Sequence, residues 1–379
     1  MKRKQVAVIV GTRPEAIKMA PVIRQLSASR ALAPLVVSTS QHRQLVGQVF
    51  RQFGVRIDHD LRTMRAGQTL WDLSGRLVTR LGRFLARERA AAVLVQGDTS
   101  SALFGALAGF YHRIPVGHVE AGLRTGDRYA PFPEEMNRTL IGSLAVWHFA
   151  PTATAVKSLL REGVRRGAIH LTGNTVVDAL RWMAPRCDDR EVTALMGAEW
   201  KDRRLVLVTC HRRESFGEPM KRVARALVKL AREEADIRVL FPIHPNPEVR
   251  KAMVPLLGRS PNIVLCDPLD YGRFLACLRA SYLVLSDSGG VQEEATALGK
   301  PVLVLRDRTE RPEGVTAGAL KLVGTETDRI VREGRRLLGS RAAYERMSRA
   351  SSVFGKGAAA KRIVRILERD LTGKRAGGR

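Results

Sequence analysis

The sequence predicts an α/β protein with two parallel-sheet domains in succession along the chain. Short β-branched runs alternate with amphipathic segments of helical period, a pattern typical of strand–helix–strand units. The chain has 379 residues, more than one hydrophobic core usually serves. The alternation also restarts after a polar stretch without periodicity, 188–204. These observations predict two Rossmann-like domains that face a cleft, with ligands beyond the carboxyl ends of the strands.

The first domain begins with an apolar strand over 6–10 and a helix over 14–27. Pro14 stands near the start of this helix, where its missing N–H costs no hydrogen bond. Residues 100–111 are rich in small side chains and predict a helix that packs closely on the sheet. The further strands of this half are predicted at 35–38, 92–96, 116–120, 146–150 and 169–172.

The second domain repeats the alternation, with helices such as 220–233 and 271–280 between its strands. Its strands are predicted at 205–209, 239–242, 263–266, 283–286 and 302–305. A last helix, about 358–369, is expected to return to the first domain. The predicted boundaries are therefore 1–185 for the first domain, 186–358 for the second, and 359–379 for the returning helix and a basic tail.

The formal net charge of +27 is the most unusual global property. Such a charge fits a nucleic-acid binder, but the basic residues are spread through every predicted helix, and no nucleic-acid-binding motif is present. We therefore expect no nucleic-acid function and interpret the charge as a field that attracts anionic substrates.

No apolar run approaches the ~20 residues that span a bilayer, and the apolar stretch 6–10 is shorter than the core of a signal peptide. We expect a cytoplasmic protein without membrane insertion. The cysteines, Cys187, Cys210, Cys266 and Cys277, show no metal-site spacing, which predicts reduced residues and no metal.

The first candidate site follows the first strand, in Gly11-Thr12-Arg13-Pro14-Glu15 with Lys18 one turn further on. A glycine turn, a helix N-terminus and two cations suit a phosphate. The sequence contains neither GxGxxG nor a Walker lysine motif, which argues against a classical NAD or P-loop site. The alternative is an ordinary strand-to-helix turn with surface cations.

Carboxylates follow the predicted buried strands of this half. Asp98 comes after 92–96, Glu120 ends the next strand, and Glu134 opens a helix after a proline-rich loop. Several carboxylates at one sheet edge can serve as acid and base with separated pKa values. For Asp98 or Glu134 taken singly, the alternative is helix N-capping or stabilisation of the helix dipole.

In the second half, His211-Arg212-Arg213 closes a strand, and a histidine with an arginine pair suits a diphosphate. His244, at the end of the next strand, is expected to be structural. The sharpest element is Ser288-Gly289-Gly290 between a strand and a helix, because bare amides at a helix start bind anions and glycines let phosphate approach. Glu294, one turn into that helix, can accept hydrogen bonds from a ribose.

These motifs occur in a fixed order and closely resemble the bacterial non-hydrolysing UDP-N-acetylglucosamine 2-epimerases from about residue 4 to residue 370. The ordered set is Gly11-Thr12-Arg13-Pro14-Glu15, Gly97-Asp98-Thr99, His118-Val119-Glu120-Ala121-Gly122-Leu123-Arg124, Pro133-Glu134-Glu135, Gly173-Asn174-Thr175, His211-Arg212-Arg213-Glu214, Ser288-Gly289-Gly290 and Thr309-Glu310-Arg311-Pro312-Glu313.

The resemblance implies a GT-B-like fold, a homodimer, a UDP-sugar substrate and no cofactor. It implies that UDP is eliminated across C1–C2 of UDP-GlcNAc to give 2-acetamidoglucal and then added back, forming UDP-ManNAc. By matching positions, it assigns catalysis to Asp98, Glu120, Glu134 and His211. It assigns substrate contacts to Arg13, Lys18, Leu269, Phe274, Ser288, Gly289, Gly290, Glu294 and Arg311. Which carboxylate removes the proton and which returns it is left open.

The sequence departs from the family in places. Gln96 replaces a histidine found in many relatives, and residues 351–357 replace a usual Asn-Pro-Tyr-Gly-Asp-Gly, which affects details of domain closure. Some relatives bind a second UDP-GlcNAc as an allosteric activator beside a segment that matches Gln41-His42-Arg43. An arginine used there is Gly67 in this chain.

Two other enzymatic functions compete with UDP-GlcNAc 2-epimerisation as interpretations of the sequence. A same-family epimerase could act on another UDP sugar, such as a UDP-2,3-diacetamido uronic acid, because the sugar pocket is shared. A GT-B glycosyltransferase would share the fold and the nucleotide end, but it would not need three carboxylates in the first domain and would need an acceptor.

Overall fold

The computed structural model describes residues 2–41, 43–65, 67–350 and 352–373. The chain forms two compact units. Unit 1 consists of Met1–Trp182 and Gly355–Arg379, and unit 2 of Met183–Phe354. Unit 2 is thus inserted in the sequence of unit 1. The expected basic tail beyond residue 373 lies outside the described residues.

Unit 1 is built on a seven-stranded parallel sheet of order β3-β2-β1-β4-β5-β6-β7. The last five residues of β1 are buried, as expected for a central strand covered on both faces. The strands are β1 Lys4–Val10, β2 Leu32–Ser38, β3 His59–Asp60, β4 Ala90–Gln96, β5 Val116–Val119, β6 Trp147–Ala150 and β7 Ile169–Leu171.

The helices of unit 1 follow the strands in alternation. They are α1 Arg13–Ala28, α2 Arg43–Gln52, α3 Leu70–Arg87, α4 Ser100–Tyr111, α5 Glu134–Leu144, α6 Ala153–Arg161 and α7 Thr175–Met183. As predicted, α4 lies close to the sheet. A Cβ on Gly105 would lie only 3.0 Å from Val95, and one on Gly109 only 2.9 Å from Val116. The small residues of α4 therefore permit this close approach.

Unit 2 has a six-stranded parallel sheet of order β10-β9-β8-β11-β12-β13. Its strands are β8 Arg204–Thr209, β9 Ile237–Pro242, β10 Ile263–Cys266, β11 Leu283–Ser286, β12 Val302–Val304 and β13 Leu320–Leu322. Its helices are α8 Arg190–Met196, α9 Glu218–Glu233, α10 Pro247–Leu257, α11 Tyr271–Ala280, α12 Gly289–Ala297, α13 Pro312–Thr316, α14 Thr327–Gly339 and α15 Arg341–Ser348.

The last helix, α16 Ala359–Thr372, belongs to unit 1. Its first amides, on Ala359 and Ala360, donate to the two carboxylate oxygens of Asp178 at 3.1 and 3.2 Å. Near its end, the carbonyl oxygen of Leu371 accepts a hydrogen bond from Lys4 Nζ at 2.6 Å. The helix is therefore fixed to unit 1 at both ends.

The predicted fold class, two parallel α/β sheets, is confirmed. Every predicted strand is present to within three residues at either end. The stretch 188–204 is more structured than expected, because it contains α8 and the buried Trp200, whose indole N–H donates to Thr193 Oγ1 at 3.0 Å. The two strands absent from the sequence prediction, β3 and β13, are short and lie at sheet edges.

Candidate functional site

The carboxyl ends of three neighbouring strands bring the predicted residues of unit 1 to one edge of its sheet. Strand β4 pairs with both β1 and β5, and the chain leaves these strands towards Arg13, Asp98 and Glu120. This is the edge where open α/β sheets bind ligands. Arg13 is half-buried as the first residue of α1.

The turn between β1 and α1 is organised by Glu15, whose carboxylate is buried. Its Oε2 accepts hydrogen bonds from the backbone amides of Gly11, at 3.0 Å, and Thr12, at 2.7 Å. Its Oε1 accepts from Thr99 Oγ1 at 2.8 Å, which links this turn to the one that follows Asp98. Burial raises the pKa of Glu15 to about 7, although these hydrogen bonds oppose the shift. Glu15 therefore fixes the turn from within.

Glycine at position 11 is required by the packing of this turn. A Cβ there would lie 2.1 Å from Ser101 Oγ and 2.6 Å from Thr39 Oγ1. These two hydroxyl groups form a hydrogen bond of 2.7 Å beneath the turn. Any larger residue at position 11 would displace them.

Lys18, predicted as a substrate contact, forms a buried ion pair with Glu120 through its Nζ and Oε2. Glu120 directly follows β5 and has a positive φ of 66°, which is uncommon for a residue other than glycine. This backbone conformation belongs to a predicted catalytic residue, a setting in which local strain is often found. A cation thus faces the Glu120 carboxylate.

Asp98 is held by a second buried cation. The Arg138 guanidinium contacts Asp98 Oδ2 through Nη2, and its Nη1 lies 3.3 Å from Glu135 Oε2. The other oxygen of Glu135 accepts from the amides of Thr125 and Gly126 at 3.0 and 3.1 Å. Asp98 is therefore positioned by an ion-pair chain that starts in the loop before α5.

The capping alternative for Asp98 is not what the structure shows. Thr99 is the N-cap of α4, and its hydroxyl accepts from the Ala102 amide at 3.1 Å. Glu134 is half-buried and stands in the first turn of α5, where Pro133 is the N-cap and supplies no side-chain bond. This first-turn position is also one in which an acidic side chain stabilises the helix dipole.

The segment predicted as an allosteric contact is described only in part. Gln41 Oε1 accepts from Ser101 Oγ at 3.1 Å. His42 and the side chain of Arg43 lie outside the described residues.

In unit 2, neighbouring strands β8 and β11 bring His211 next to Asp287. Asp287 is fully buried, and its Oδ2 accepts from the amides of His211 and Arg212 at 2.6 and 2.7 Å. Its Oδ1 lies 3.3 Å from His211 Nδ1. The ring of His244 stacks on that of His211, with centroids 5.3 Å apart, so His244 contacts a predicted catalytic residue.

Burial lowers the pKa of His211; Asp287 opposes this effect and Arg212 adds to it. Burial also lowers the pKa of His244, and the neighbouring His211 lowers it further, whereas the charge of Asp287 raises it. Both rings therefore favour the neutral form in the absence of a ligand.

The predicted anion site stands at the start of α12. Ser288 is the N-cap, its side chain makes no cap hydrogen bond, and its own amide donates to Ser286 Oγ at 3.0 Å. A Cβ on Gly289 would lie 2.6 Å from Arg311 Nη1, whereas one on Gly290 would meet no atom within 4 Å among the described residues. Gly289 thus lets a guanidinium lie against the helix start, where the amides favour an anion.

Arg311 is held by two buried carboxylates. Its Nε donates to Glu293 at 2.8 Å and its Nη1 to Glu310 at 3.0 Å. Burial alone would raise the pKa of Glu310, but Arg311, Arg306 and Arg212 lower it to about 2, so this carboxyl stays ionised. The network fixes the position of Arg311 and keeps its charge.

The remaining predicted contacts of unit 2 lie on or beside its helices. Leu269 precedes α11 and Phe274 lies within it, and both are buried. Asp270 is the N-cap of this helix, and its side chain accepts a hydrogen bond from the Arg273 amide at 3.1 Å. Glu294 is buried in α12.

Four further residues contact the predicted site residues or their turns, namely Glu15, Arg138, Asp287 and Glu310. Glu15 and Glu310 lie within the quoted motifs, but the sequence analysis assigns no role to any of the four. Arg138 had a usable signal, since it lies one helical turn after Glu135. Across the described ranges, no three or more His, Cys, Asp or Glu side chains are arranged to hold a metal ion. No described helix is long and apolar enough to cross a membrane.

Comparison with known proteins gives a consistent result. The family model for UDP-N-acetylglucosamine 2-epimerase matches residues 24–368. A probable UDP-N-acetylglucosamine 2-epimerase of Ralstonia solanacearum is 47% identical over 370 residues, which cover 96% of this chain and 99% of that protein. The UDP-N-acetylglucosamine 2-epimerase of Escherichia coli K12 is 46% identical over 369 residues, which cover 96% and 98%.

The agreement extends to three dimensions. The crystal structure of the Neisseria meningitidis UDP-GlcNAc 2-epimerase bound to UDP-GlcNAc is 41% identical and superimposes with a TM-score of 0.91, covering 96% of this chain and 99% of that one. Identity at this level along nearly the whole chain, on the same fold, confirms the resemblance seen in the ordered motifs. The chain belongs to the UDP-N-acetylglucosamine 2-epimerase family.

Proposed function

We propose that this protein catalyses the reversible epimerisation of UDP-GlcNAc at C2, with UDP-ManNAc as the product. The observation that carries the proposal is the pair of carboxylates at the strand ends of unit 1, Asp98 and Glu120, each held by a buried cation. The relatives named above, which include a structure with UDP-GlcNAc bound, support the substrate.

The C2 proton of the sugar is not α to a carbonyl, so a base alone faces a very high barrier. In the proposed reaction one carboxylate takes this proton while the C1–O bond to UDP breaks. The electron pair of the C2–H bond becomes the C1–C2 double bond of 2-acetamidoglucal, and the C1–O pair leaves with UDP. Return of a proton to the other face of C2 and of UDP to C1 gives the epimer.

Asp98, Glu120 and Glu134 are the candidates for the acid and base. The first two of these carboxylates each lie beside a buried cation. Lys18 acts on Glu120 and Arg138 on Asp98. Glu134 stands in the first turn of α5.

Unit 2 supplies groups suited to the departing UDP. The open start of α12 and Arg311 offer backbone N–H donors and a fixed positive charge to the diphosphate. Donors aimed at the charge that develops on a leaving group are a major source of catalysis. His211 offers a ring nitrogen for the same group, and the buried Phe274 with Leu269 is proposed for the uracil end.

The direct test is proton NMR of UDP-GlcNAc incubated with the pure protein in deuterated water, without added NAD or metal. We expect UDP-ManNAc to form and deuterium to enter C2 of both sugars. Unchanged spectra, with UDP binding intact, would contradict UDP-GlcNAc as the substrate. The same assay would then be run on UDP-2,3-diacetamido uronic acids, and transfer to an acceptor would indicate a glycosyltransferase.

We also propose that the protein is a homodimer, which a surface of unit 1 supports. Phe110 and Tyr111 at the end of α4, and Val146 before β6, are exposed large apolar side chains around one apolar groove. Light scattering should give twice the chain mass for the wild type, and Phe110→Glu with Tyr111→Glu should give a monomer. A monomeric wild type at micromolar concentration would contradict this proposal.

A further inference from the structure

The two carboxylate oxygens of Asp287 are used in different ways. Oδ2 accepts two backbone hydrogen bonds, from the amides of His211 and Arg212 at 2.6 and 2.7 Å. These bonds fix the direction of the carboxylate, because rotation of Asp287 would break both. Oδ1 therefore points in a determined direction within the core of unit 2.

Oδ1 faces the imidazole of His211. It lies 3.3 Å from Nδ1, and it is buried without a hydrogen bond to any part of the chain that the structure describes. A buried carboxylate oxygen without a donor is costly, and a proton on His211 Nδ1 would supply that donor. A lone pair on Nδ1 would instead repel the oxygen.

The groups around His211 determine which of its ring nitrogens carries the proton. The charged and titratable groups around the ring are Asp287, Arg212 and the stacked His244, and the buried Cys210 thiol lies beside Asp287. His244 Nδ1 accepts from the Asn246 amide at 3.2 Å, so the orientation of this ring is fixed separately. Burial lowers the pKa of His211 and so favours the neutral ring, which carries its single proton on either Nδ1 or Nε2.

We propose that Asp287 is a positioning residue that holds His211 as the Nδ1–H tautomer, so that the proton which comes and goes in the reaction is the one on Nε2. The 36% of the side chain that is exposed leaves the ring accessible to a ligand. The use of Nε2 towards the UDP diphosphate rests on the proposed function, whereas the tautomer itself does not.

The role has a definite consequence for catalysis. With Nδ1–H directed at Asp287, the protonated ring can donate from Nε2 to a diphosphate oxygen as UDP leaves, and the Asp287 charge supports the imidazolium. A carboxylate that orients a catalytic histidine acts in this way in serine proteases, where replacing it by Asn selects the wrong tautomer and costs about 10⁴-fold in kcat.

The tautomer can be measured directly in the wild type. Long-range ¹H–¹⁵N NMR on protein labelled at its 8 histidines, with the His211 signals assigned through His211→Gln, should show neutral His211 protonated at Nδ1. Neutral His211 protonated at Nε2 would overturn the proposal, and this measurement does not require any Asp287 variant to fold.

Asp287→Asn provides the second measurement. Its side-chain oxygen can keep the two backbone bonds while its amide donates to Nδ1, so His211 should switch to the Nε2–H tautomer. We expect kcat to fall at least about 100-fold, with UDP affinity within about threefold of wild type. Thr209→Val is the matched control, because it removes the 2.7 Å bond to Ser286 at the same strand end without touching His211.

The outcomes separate this proposal from the proposed function. An Asp287→Asn variant with an unchanged tautomer, or with turnover equal to that of Thr209→Val, would overturn the role of Asp287. A tautomer switch in a protein that never exchanges the C2 proton of UDP-GlcNAc would support the role of Asp287 and overturn the proposed reaction.

Discussion

The two units stabilise their candidate sites with the same device but equip them for different chemistry. In unit 1, the Glu15 carboxylate accepts hydrogen bonds from the amides of Gly11 and Thr12. In unit 2, the Asp287 carboxylate accepts hydrogen bonds from the amides of His211 and Arg212. Each carboxylate is buried and fixes the turn that follows a central strand of its sheet. A buried acceptor that satisfies two adjacent amides is a means of holding a strand end rigid.

The difference lies in what surrounds these turns. In unit 1 the proposed reactive groups are carboxylates with a cation on each, Lys18 on Glu120 and Arg138 on Asp98. In unit 2 the groups available to a ligand are N–H donors at the start of α12 and the cation of Arg311. One fold thus carries the proposed proton acceptors in unit 1 and the proposed anion-binding groups in unit 2. The contrast predicts that variants of the paired carboxylates in unit 1 affect turnover and that variants at the start of α12 in unit 2 affect UDP affinity.

The sharpest division of the two roles is expected from Asp98→Asn. Removing the charge takes away a proposed acid or base, so turnover should fall by about 10³-fold or more while UDP affinity stays unchanged. Turnover is measured by the NMR assay and affinity by calorimetry. The control is Asp127→Asn in the same unit, an exposed residue whose Oδ1 accepts a hydrogen bond from the Tyr129 amide at 3.0 Å. Near-normal turnover of Asp98→Asn would remove it from the acid–base set.

The second prediction compares Glu15 with Asp98 and Glu120. Its partners are neutral hydroxyl and amide groups, whereas theirs are cations. Its pKa is raised to about 7 in the fold from 4.5, so its ionisation is less favourable in the folded than in the unfolded protein. Its contribution to stability is therefore fully present below pH 4.5 and is lost as the pH rises through 7. Over this range the wild type should lose about 3 kcal/mol relative to Glu15→Gln, which does not titrate.

Urea unfolding of both proteins at pH 5 and pH 8, followed by a probe in unit 1, checks this expectation. A difference between wild type and Glu15→Gln that is independent of pH would show that Glu15 ionises normally.

A smaller effect is expected at the anion site of unit 2. In Gly289→Ala the new Cβ would lie 2.6 Å from Arg311 Nη1, so the guanidinium must move away from the helix start. We expect UDP affinity to fall about tenfold, which corresponds to ~1.4 kcal/mol. Gly339→Ala at the end of α14 is the control, since a Cβ there meets no atom within 4 Å among the described residues. Equal UDP affinity in the two variants would place the diphosphate elsewhere.

The smallest effect is expected for an exposed ion pair of unit 2. Lys229 and Asp328 lie 3.1 Å apart, and their side chains are 41% and 86% exposed. Asp328→Asn should change the free energy of unfolding by less than about 1 kcal/mol, because water and salt screen such pairs. The midpoints of urea unfolding check this expectation. A larger loss would mean that exposed ion pairs contribute more to the stability of this protein than screening by water and salt allows.

Much of the fold could be predicted from the sequence because buried parallel strands are long apolar runs and their helices have clear periodicity. The prediction failed where these signals are short. Strand β3, His59–Asp60, consists of two half-buried residues, and β13, Leu320–Leu322, has three residues with an exposed lysine in the middle, so neither forms a recognisable apolar run. Helix α8 buries only Val192 and Met196 and stands in a polar stretch.

The candidate site was predictable to the extent that ordered motifs mark strand ends. The partners of its residues were not, because they depend on which strands are neighbours. Nothing in the sequence states that β8 lies beside β11, and it is this pairing that places Asp287 against His211, 76 residues away. Likewise, Lys18 was interpreted as one of two phosphate-binding cations, but the adjacent strand ends bring it to Glu120.

The return of α16 to unit 1 has a consequence for the order of events during synthesis. Residues Lys4 and Leu371 form a hydrogen bond across almost the whole chain, and the start of α16 is held by Asp178. Unit 2 ends at Phe354 and has all its strands by then, whereas unit 1 still awaits α16. The sequence of the inserted unit is therefore complete before that of the unit that began first, and the α1 surface that receives α16 stays uncovered until this helix has been synthesised.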